Sequence, residues 1–415
     1  MCFARLFDSR AGKTVLFYRM KIFRTLCIAS VLFAMLTMLS CKTDHNDSPT
    51  DTLNADTSTV PAEKEHAFRL GAYVWYGFSY SGTHYTDRLL NEFAGREPEW
   101  GWTERSNENM AYQIKIAKEY GLTFFAFDWY YGNPRLNNAV TDFLRAEGHD
   151  DFSFCLMVAN HEGARITREN WQDACRTFKN YMSRSCSLTV DGKPVIIFYD
   201  IYNLIADLGG VDGVRECFDY LRGLFENGAY IMGCECPYGT PSTGAIDSNF
   251  EGFSESALKK RLENDRKCGF DALTGYNYRR YSPVNGSYEL PYTTMTLHHE
   301  RAWDAMAKYT DIPYAPCILS GWDCRPWETD WPGNPTGYRS CYGTGRNAAD
   351  FRDHIINAYK WLLENPEQNA GNLGLIYAWD EVCEGGFLIP TKGEGYEMLN
   401  GVKQAVEEID RGEIG

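Results

Sequence analysis

Positive charge is scarce in this sequence. Its 415 residues carry 41 lysines and arginines against 56 aspartates and glutamates, a formal net charge of -15. A surface of that sign repels phosphate, which excludes nucleic acid as an expected partner. The most apolar stretch, residues 26–39, is shorter than the roughly 20 residues that a membrane-spanning helix needs. A glycine-rich phosphate loop is also missing after the first strand-like run, where Trp75-Tyr76-Gly77-Phe78-Ser79 stands instead. That counts against a doubly wound nucleotide-binding sheet. Cys234-x-Cys236 has no second pair at zinc-like spacing, so no metal site is expected. What the chain has in quantity is a 44% hydrophobic share, enough for a sizeable core, and 27 tyrosines with 11 tryptophans.

The first forty residues read as a processing signal. Lys21 and Arg24 follow Met20 as a basic flank, residues 26–39 form a short apolar core, and Leu39-Ser40-Cys41 resembles a bacterial lipobox. Residues 1–41 are therefore expected to be an over-extended start plus a lipoprotein signal, with Cys41 lipidated and the protein held in the bacterial cell envelope by that lipid alone. Residues 42–66, rich in Thr, Asp, Ser and Asn, read as a flexible linker, and residues 67–412 as one domain. Loss of residues 1–40 would take the net charge to -20, and loss of Cys2, Cys27 and the anchor would leave eleven cysteines, an odd number. Cys155 and Cys317 sit in apolar runs that suit small buried hydrophobes. Cys324 and Cys341 flank one long loop and are the best-placed disulfide candidates in an oxidising envelope.

Along residues 67–412, short apolar or β-branched runs alternate with longer stretches of helical period. Strands are expected at 69–75, 123–128, 152–159, 194–199, 229–234, 271–276, 313–319 and 373–379. Helices are expected at about 108–120, 136–147, 168–183, 212–227, 255–267, 293–309, 347–365 and 394–409. Eight βα units make a (β/α)8 TIM barrel the economical α/β architecture, because closure removes both sheet edges. The long loops after strands 1 and 7 would then lie on the catalytic face.

A barrel builds its site at the C-terminal ends of its strands. Those positions hold Trp75 and Tyr76, Asp128, Trp129 and Tyr130, Asn160 and His161, Tyr199, Tyr276, Trp322, and finally Trp379, Asp380, Glu381 and Glu384. Carboxylates among aromatic walls suit sugars, which present C–H faces and hydroxyl rims. Packing in the core or in loops is the alternative for any single aromatic. Asn160 and His161 are suited to holding hydroxyls, His161 alternatively to supporting the site from behind. Asp128 belongs either to substrate binding or to hydrogen bonding at the barrel end. Glu381 and Glu384 leave strand 8 three residues apart, ahead of Gly385-Gly386, and two neighbouring carboxyls can divide acid and base roles in glycosidic cleavage. A solvated acidic turn or a helix cap is the other reading of that spacing.

The segment Trp379-Asp380-Glu381-x-x-Glu384-Gly385, with Pro390 beyond it, resembles the W-N-E-x-x-E-G motif of glycoside hydrolase family 99, the endo-α-mannosidases and endo-α-mannanases, and of the WbsX-like proteins that share its barrel. Residues 117–131, 154–162 and 192–200 carry weaker similarity. The resemblance implies a retaining hydrolase of α-linked, mannan-like polysaccharide that works through a 1,2-anhydro sugar. Glu381 would deprotonate the substrate's 2-hydroxyl, and Glu384 would protonate the leaving oxygen and then activate water, with no cofactor. Asp380 replaces the family's asparagine, and Val382 stands where an aromatic is usual. Those departures keep open an α-1,3-glucanase-like specificity of the family 71 kind. A sugar-binding lipoprotein without turnover and a WbsX-type role in polysaccharide assembly are the competing readings.

Overall fold

The structure is a computed structural model that describes residues 66–77, 85–103, 106–237, 254–278, 281, 283–327 and 341–414. The signal-like segment, Cys41 and nearly all of the linker lie outside the described residues. Eight parallel strands form the sheet: β1 Arg69–Val74, β2 Phe124–Trp129, β3 Ser153–Val158, β4 Lys193–Phe198, β5 Tyr230–Cys234, β6 Ala272–Thr274, β7 Cys317–Leu319 and β8 Leu373–Tyr377. Their order is β6-β5-β4-β3-β2-β1-β8-β7. The helices in chain order are α1 Asp87–Asn91, α2 Asn107–Glu119, α3 Asn138–Phe143, α4 Trp171–Met182, α5 Ile201–Asp207, α6 Val211–Arg222, α7 Glu255–Cys268, α8 Tyr292–Tyr309, α9 Ala348–Glu364 and α10 Glu397–Asp410. All eight strands and the eight expected helices are present. The structure adds α5, started by the Asp200 side chain accepting from Asn203 N–H, and the short α1 in the loop after β1. It trims the second expected helix, 136–147, to the six residues of α3.

The alternation of side chains along each strand decides what faces the barrel interior. On β2, Phe125 packs on Trp379, Phe127 on Phe143 of α3, and Trp129 on Phe178 of α4, so these three face the helices. Phe124, Ala126 and Asp128 are left for the interior. Gly71 of β1 allows that filling: a Cβ there would lie 2.3 Å from the Phe124 ring. Higher in the barrel, Tyr276 sits with its ring 4.8 Å from Tyr73 and 5.0 Å from Tyr377.

The barrel is nearly closed. Between β6 and the run leading into β7 the pairing is limited to the Leu273–Tyr314 bridge, and side chains from α8 and α9 serve backbone groups of β7. Leu319 N–H donates to His354 Nε2 (3.2 Å), Tyr292 donates to the Leu319 carbonyl (2.5 Å), and Trp303 Nε1 donates to the Cys317 carbonyl (3.1 Å), with His299 Nδ1 at 3.1 Å from the same oxygen. Buried backbone groups must be paired, and a strand of three residues cannot pair them all within the sheet. Cys155, Cys175, Cys217, Cys234, Cys268 and Cys317 are buried thiols, as apolar runs favour. Cys324 and Cys341 are not joined to each other, which removes the disulfide expected from their spacing. Among the described residues no helix is long and apolar enough to cross a membrane.

Candidate active site

The end of β8 runs into a tight turn. Asp380–Glu381 pairs antiparallel with Gly386–Phe387, and Glu384 N–H donates to the Glu381 carbonyl at 3.1 Å. Gly385 makes the turn possible, with φ of 72° and no room for a Cβ, which would fall 2.7 Å from Asp323 N. Arg96, in the loop after β1, fastens the turn from outside. It donates to the carbonyls of Val382 (2.9 Å) and Asp323 (3.0 Å), bonds the Asp323 carboxylate, and lies over the Phe93 ring. Arg346 ties the same turn from the other side through the carbonyls of Gly385 (3.0 Å) and Phe387 (3.1 Å).

This frame brings carboxyl groups from two strands together. Glu381 is 6% exposed and Asp128 5%, and the Tyr276 hydroxyl bridges them at 3.1 and 3.0 Å. Glu384, half-buried, accepts from the Tyr377 hydroxyl. Burial, then the charges of Glu384, Asp128 and Asp380, push Glu381 well above the usual carboxylate range, against the hydrogen bond from Tyr276. Burial pushes Asp128 up in the same way, with Glu384 adding to it and Tyr276 opposing.

Aromatic groups surround these carboxyls. Tyr130 feels Asp128 and Glu381 directly and is hydrogen-bonded by the Trp75 side chain. The His161 ring stands edge-on to Tyr130 (5.6 Å) and Tyr199 (6.0 Å), and Tyr199 edge-on to Tyr276 (5.4 Å). Trp322 is buried 6.2 Å from Tyr377. Asp380 accepts from the Trp75 backbone N–H (2.8 Å) and so locks the ends of β1 and β8 together, a supporting position behind the cluster. Trp75, Asp128, Tyr130, His161, Tyr199, Tyr276, Trp322, Glu381 and Glu384 are thus assembled at one end of the barrel.

Four expected site residues are elsewhere. Trp129 and Trp379 face the helix layer, the first on Phe178, the second fully buried on Phe125 with its indole donating to Gln113 (2.7 Å). Tyr76 is turned into a small recess with Tyr85, Trp100 and Trp102. Asn160 spends its amide on the Asp200 backbone, donating to the carbonyl (2.8 Å) and accepting from the N–H (2.9 Å). Trp129, Tyr76 and Asn160 are out of phase with the inward residues of their strand ends, so period-two counting carried past the strand accounts for their misplacement. Trp379 lies two residues beyond the inward Tyr377, and that count does not account for its place. Sequence reasoning also missed Tyr73, Tyr377, Arg96 and Arg346. Tyr73 is in phase with Trp75 and was reachable by that count. Arg96 lies 286 residues from its partner Val382, and no local signal marks it. Among the described residues no group of three or more His, Cys, Asp or Glu is arranged to hold a metal ion.

A parallel eight-stranded α/β barrel with acidic groups at the strand ends is a TIM-type barrel protein. By sequence the chain belongs to the glycosyltransferase WbsX family, whose model matches residues 101–402. A curated relative, the uncharacterized protein WxcX of Xanthomonas campestris pv. campestris, is 22% identical over 80% of this chain and 47% of its own length. The chain therefore spans about half the length of the curated relatives it matches. Among solved structures, the family 99 endo-α-mannosidase of Bacteroides thetaiotaomicron superposes with a TM-score of 0.54 at 12% identity, covering 85% of this chain and 100% of that one. A glycoside hydrolase-like protein does so with a TM-score of 0.56 at 15% identity, covering 86% and 97%. At these identities the likeness is one of fold.

Proposed function

We propose that the chain is a retaining glycoside hydrolase of an α-linked, mannan-like polysaccharide, with Glu381 and Glu384 as its catalytic residues. The observation that carries this reading is the Glu381 carboxyl, buried at the end of β8 among acidic neighbours and hydrogen-bonded by Tyr276, with Glu384 three residues on. A carboxylate whose proton affinity is raised is a stronger base, which suits Glu381 to taking the proton of the substrate's 2-hydroxyl while that oxygen attacks the anomeric carbon. Glu384 gives its proton to the departing glycosidic oxygen. It then recovers a proton from the water that opens the resulting 1,2-anhydro sugar, and Glu381 returns its proton to O2. Trp75, Tyr130, His161, Tyr199 and Trp322 supply ring faces and polar edges for the sugar. The lipobox at Cys41 would hold the enzyme at the cell envelope beside such a glycan.

The family's description as a glycosyltransferase favours a second reading, in which the acceptor is another sugar instead of water. The experiment is to incubate the purified protein with α-mannans and α-glucans, with and without acceptor oligosaccharides, and to follow reducing ends and chain lengths. New reducing ends that fall by at least about 100-fold in Glu384→Gln, with binding retained, support hydrolysis. Lengthened acceptors without new reducing ends favour transfer. Binding with neither product on any glycan supports a binding module and refutes both. A substrate lacking the 2-hydroxyl should resist cleavage, and efficient cleavage of it would sink the anhydro-sugar route.

A further inference from the structure

Tyr276 faces two acceptors with one proton. Its hydroxyl oxygen is 3.0 Å from Asp128 Oδ2 and 3.1 Å from Glu381 Oε1, and a phenol has a single O–H to donate. Both contacts are hydrogen bonds only when one of the carboxyls contributes a proton of its own. The surroundings of the two carboxyls differ. Asp128 Oδ1 is buried without a partner, whereas neither oxygen of Glu381 is stranded in this way. An unpaired buried oxygen costs far less as the carbonyl of a neutral acid than as half of a carboxylate. The oxygen of Asp128 that does meet Tyr276 is the one placed to carry the proton. The titratable groups that face Asp128 are Tyr276 and Tyr130, Glu381 and Glu384, and Cys234. None of them is a cation that would favour its ionised form. Burial raises the Asp128 carboxyl in the same sense.

We propose that Asp128 is a positioning residue that stays protonated at neutral pH, donates to the Tyr276 hydroxyl oxygen, and thereby turns the Tyr276 proton onto the Glu381 carboxylate. Glu381 is then ionised and held in one orientation, and the Asp128 proton remains where it is through the catalytic cycle. The role in catalysis rests on the hydrolase reading above, but the protonation state does not, and the two are tested separately.

The first measurement uses the full-length protein labelled with 13C at the aspartate carboxyls, without substrate. The Asp128 signal, assigned by its disappearance in Asp128→Asn, should have the shift of a neutral carboxyl at about pH 7. An ionised carboxyl there overturns the proposal whether or not the chain cleaves glycans. The second measurement uses the glycan that the screen identifies. Asparagine can donate to Tyr276 as the protonated acid does, so Asp128→Asn should hold kcat/KM within about threefold and leave the acid limb of the pH profile in place. Asp128→Leu cannot donate and should lose about 10- to 100-fold in kcat, with KM little changed. An acid limb displaced by a unit or more in Asp128→Asn would mean that a negative charge had been removed, and would refute the proton assignment. Equal activity of the Asn and Leu variants would refute the positioning role.

Discussion

Replacing Arg96 by methionine tests how much of the turn that carries Glu381 and Glu384, tied from its other side by Arg346, is held by this one remote cation. Arg96 is 14% exposed and its partner Asp323 9%, and the guanidinium also serves the carbonyls of Val382 and Asp323. Burial alone would raise the Asp323 carboxyl, yet Arg325 and Arg96 hold it below the usual carboxylate value. Removing one partner of a buried ion pair costs roughly 3–5 kcal/mol, because the other charge is left in a poor solvent. Here Arg325 still binds both carboxylate oxygens, at 2.8 and 2.9 Å, so the low end applies: about 3 kcal/mol. Arg325 is 31% exposed and more accessible to solvent, and its own replacement by methionine should cost about 1 kcal/mol. The assay is urea denaturation at neutral pH, read from the midpoint at constant slope. A loss under about 1 kcal/mol in Arg96→Met, or equal losses in the two variants, would refute the assignment of Arg96 as the clamp. If the clamp is real, Arg96→Met also lowers kcat, since Glu381 and Glu384 ride on the turn it holds.

Three further outcomes are expected. Glu381 has a folded-state proton affinity above its unfolded value, so its favourable contribution is complete at low pH and is lost as pH rises through the folded value. Glu381→Gln should accordingly be inactive but more stable than the parent, by about 0.5–2 kcal/mol, with the gap widening as pH rises above the usual carboxylate range; a gap that narrows with rising pH would contradict this. His354 is pushed below the ordinary histidine value by burial, with Glu300 opposing, and its Nε2 accepts from Leu319 N–H at 3.2 Å. Stability should therefore fall as pH drops below about 6.5, and less steeply in His354→Leu, which itself costs about 1–3 kcal/mol at neutral pH by stranding that N–H. Asn160→Leu should lower the denaturation midpoint by a comparable free energy while leaving KM unchanged, because its amide holds backbone and not sugar; a raised KM at unchanged stability would restore it to the binding site.

Much of this molecule was legible from the chain. The alternation of apolar runs and helical periods is local, and it marked all eight strands and the principal helices. The run from Trp379 to Gly385 singled out Glu381 and Glu384 because the spacing of two carboxyls ahead of paired glycines is also local. Inward and outward facing was legible too at the end of β2, had the period of two been carried past the strand: Asp128 and Trp129 are neighbours in sequence and face opposite sides of the sheet.

Three things were decided only by tertiary structure. The first is the meeting of Asp128, Tyr276 and Glu381, which come from three strand ends more than a hundred residues apart and are brought together by closure of the barrel. The second is the clamp of Arg96 on the turn after β8. The third is the use of α8 and α9 side chains to satisfy β7 at the seam. Sequence pattern records which face of an element avoids water, because that preference acts residue by residue. Which polar groups share a proton or a charge depends on distances that exist only once the barrel has closed.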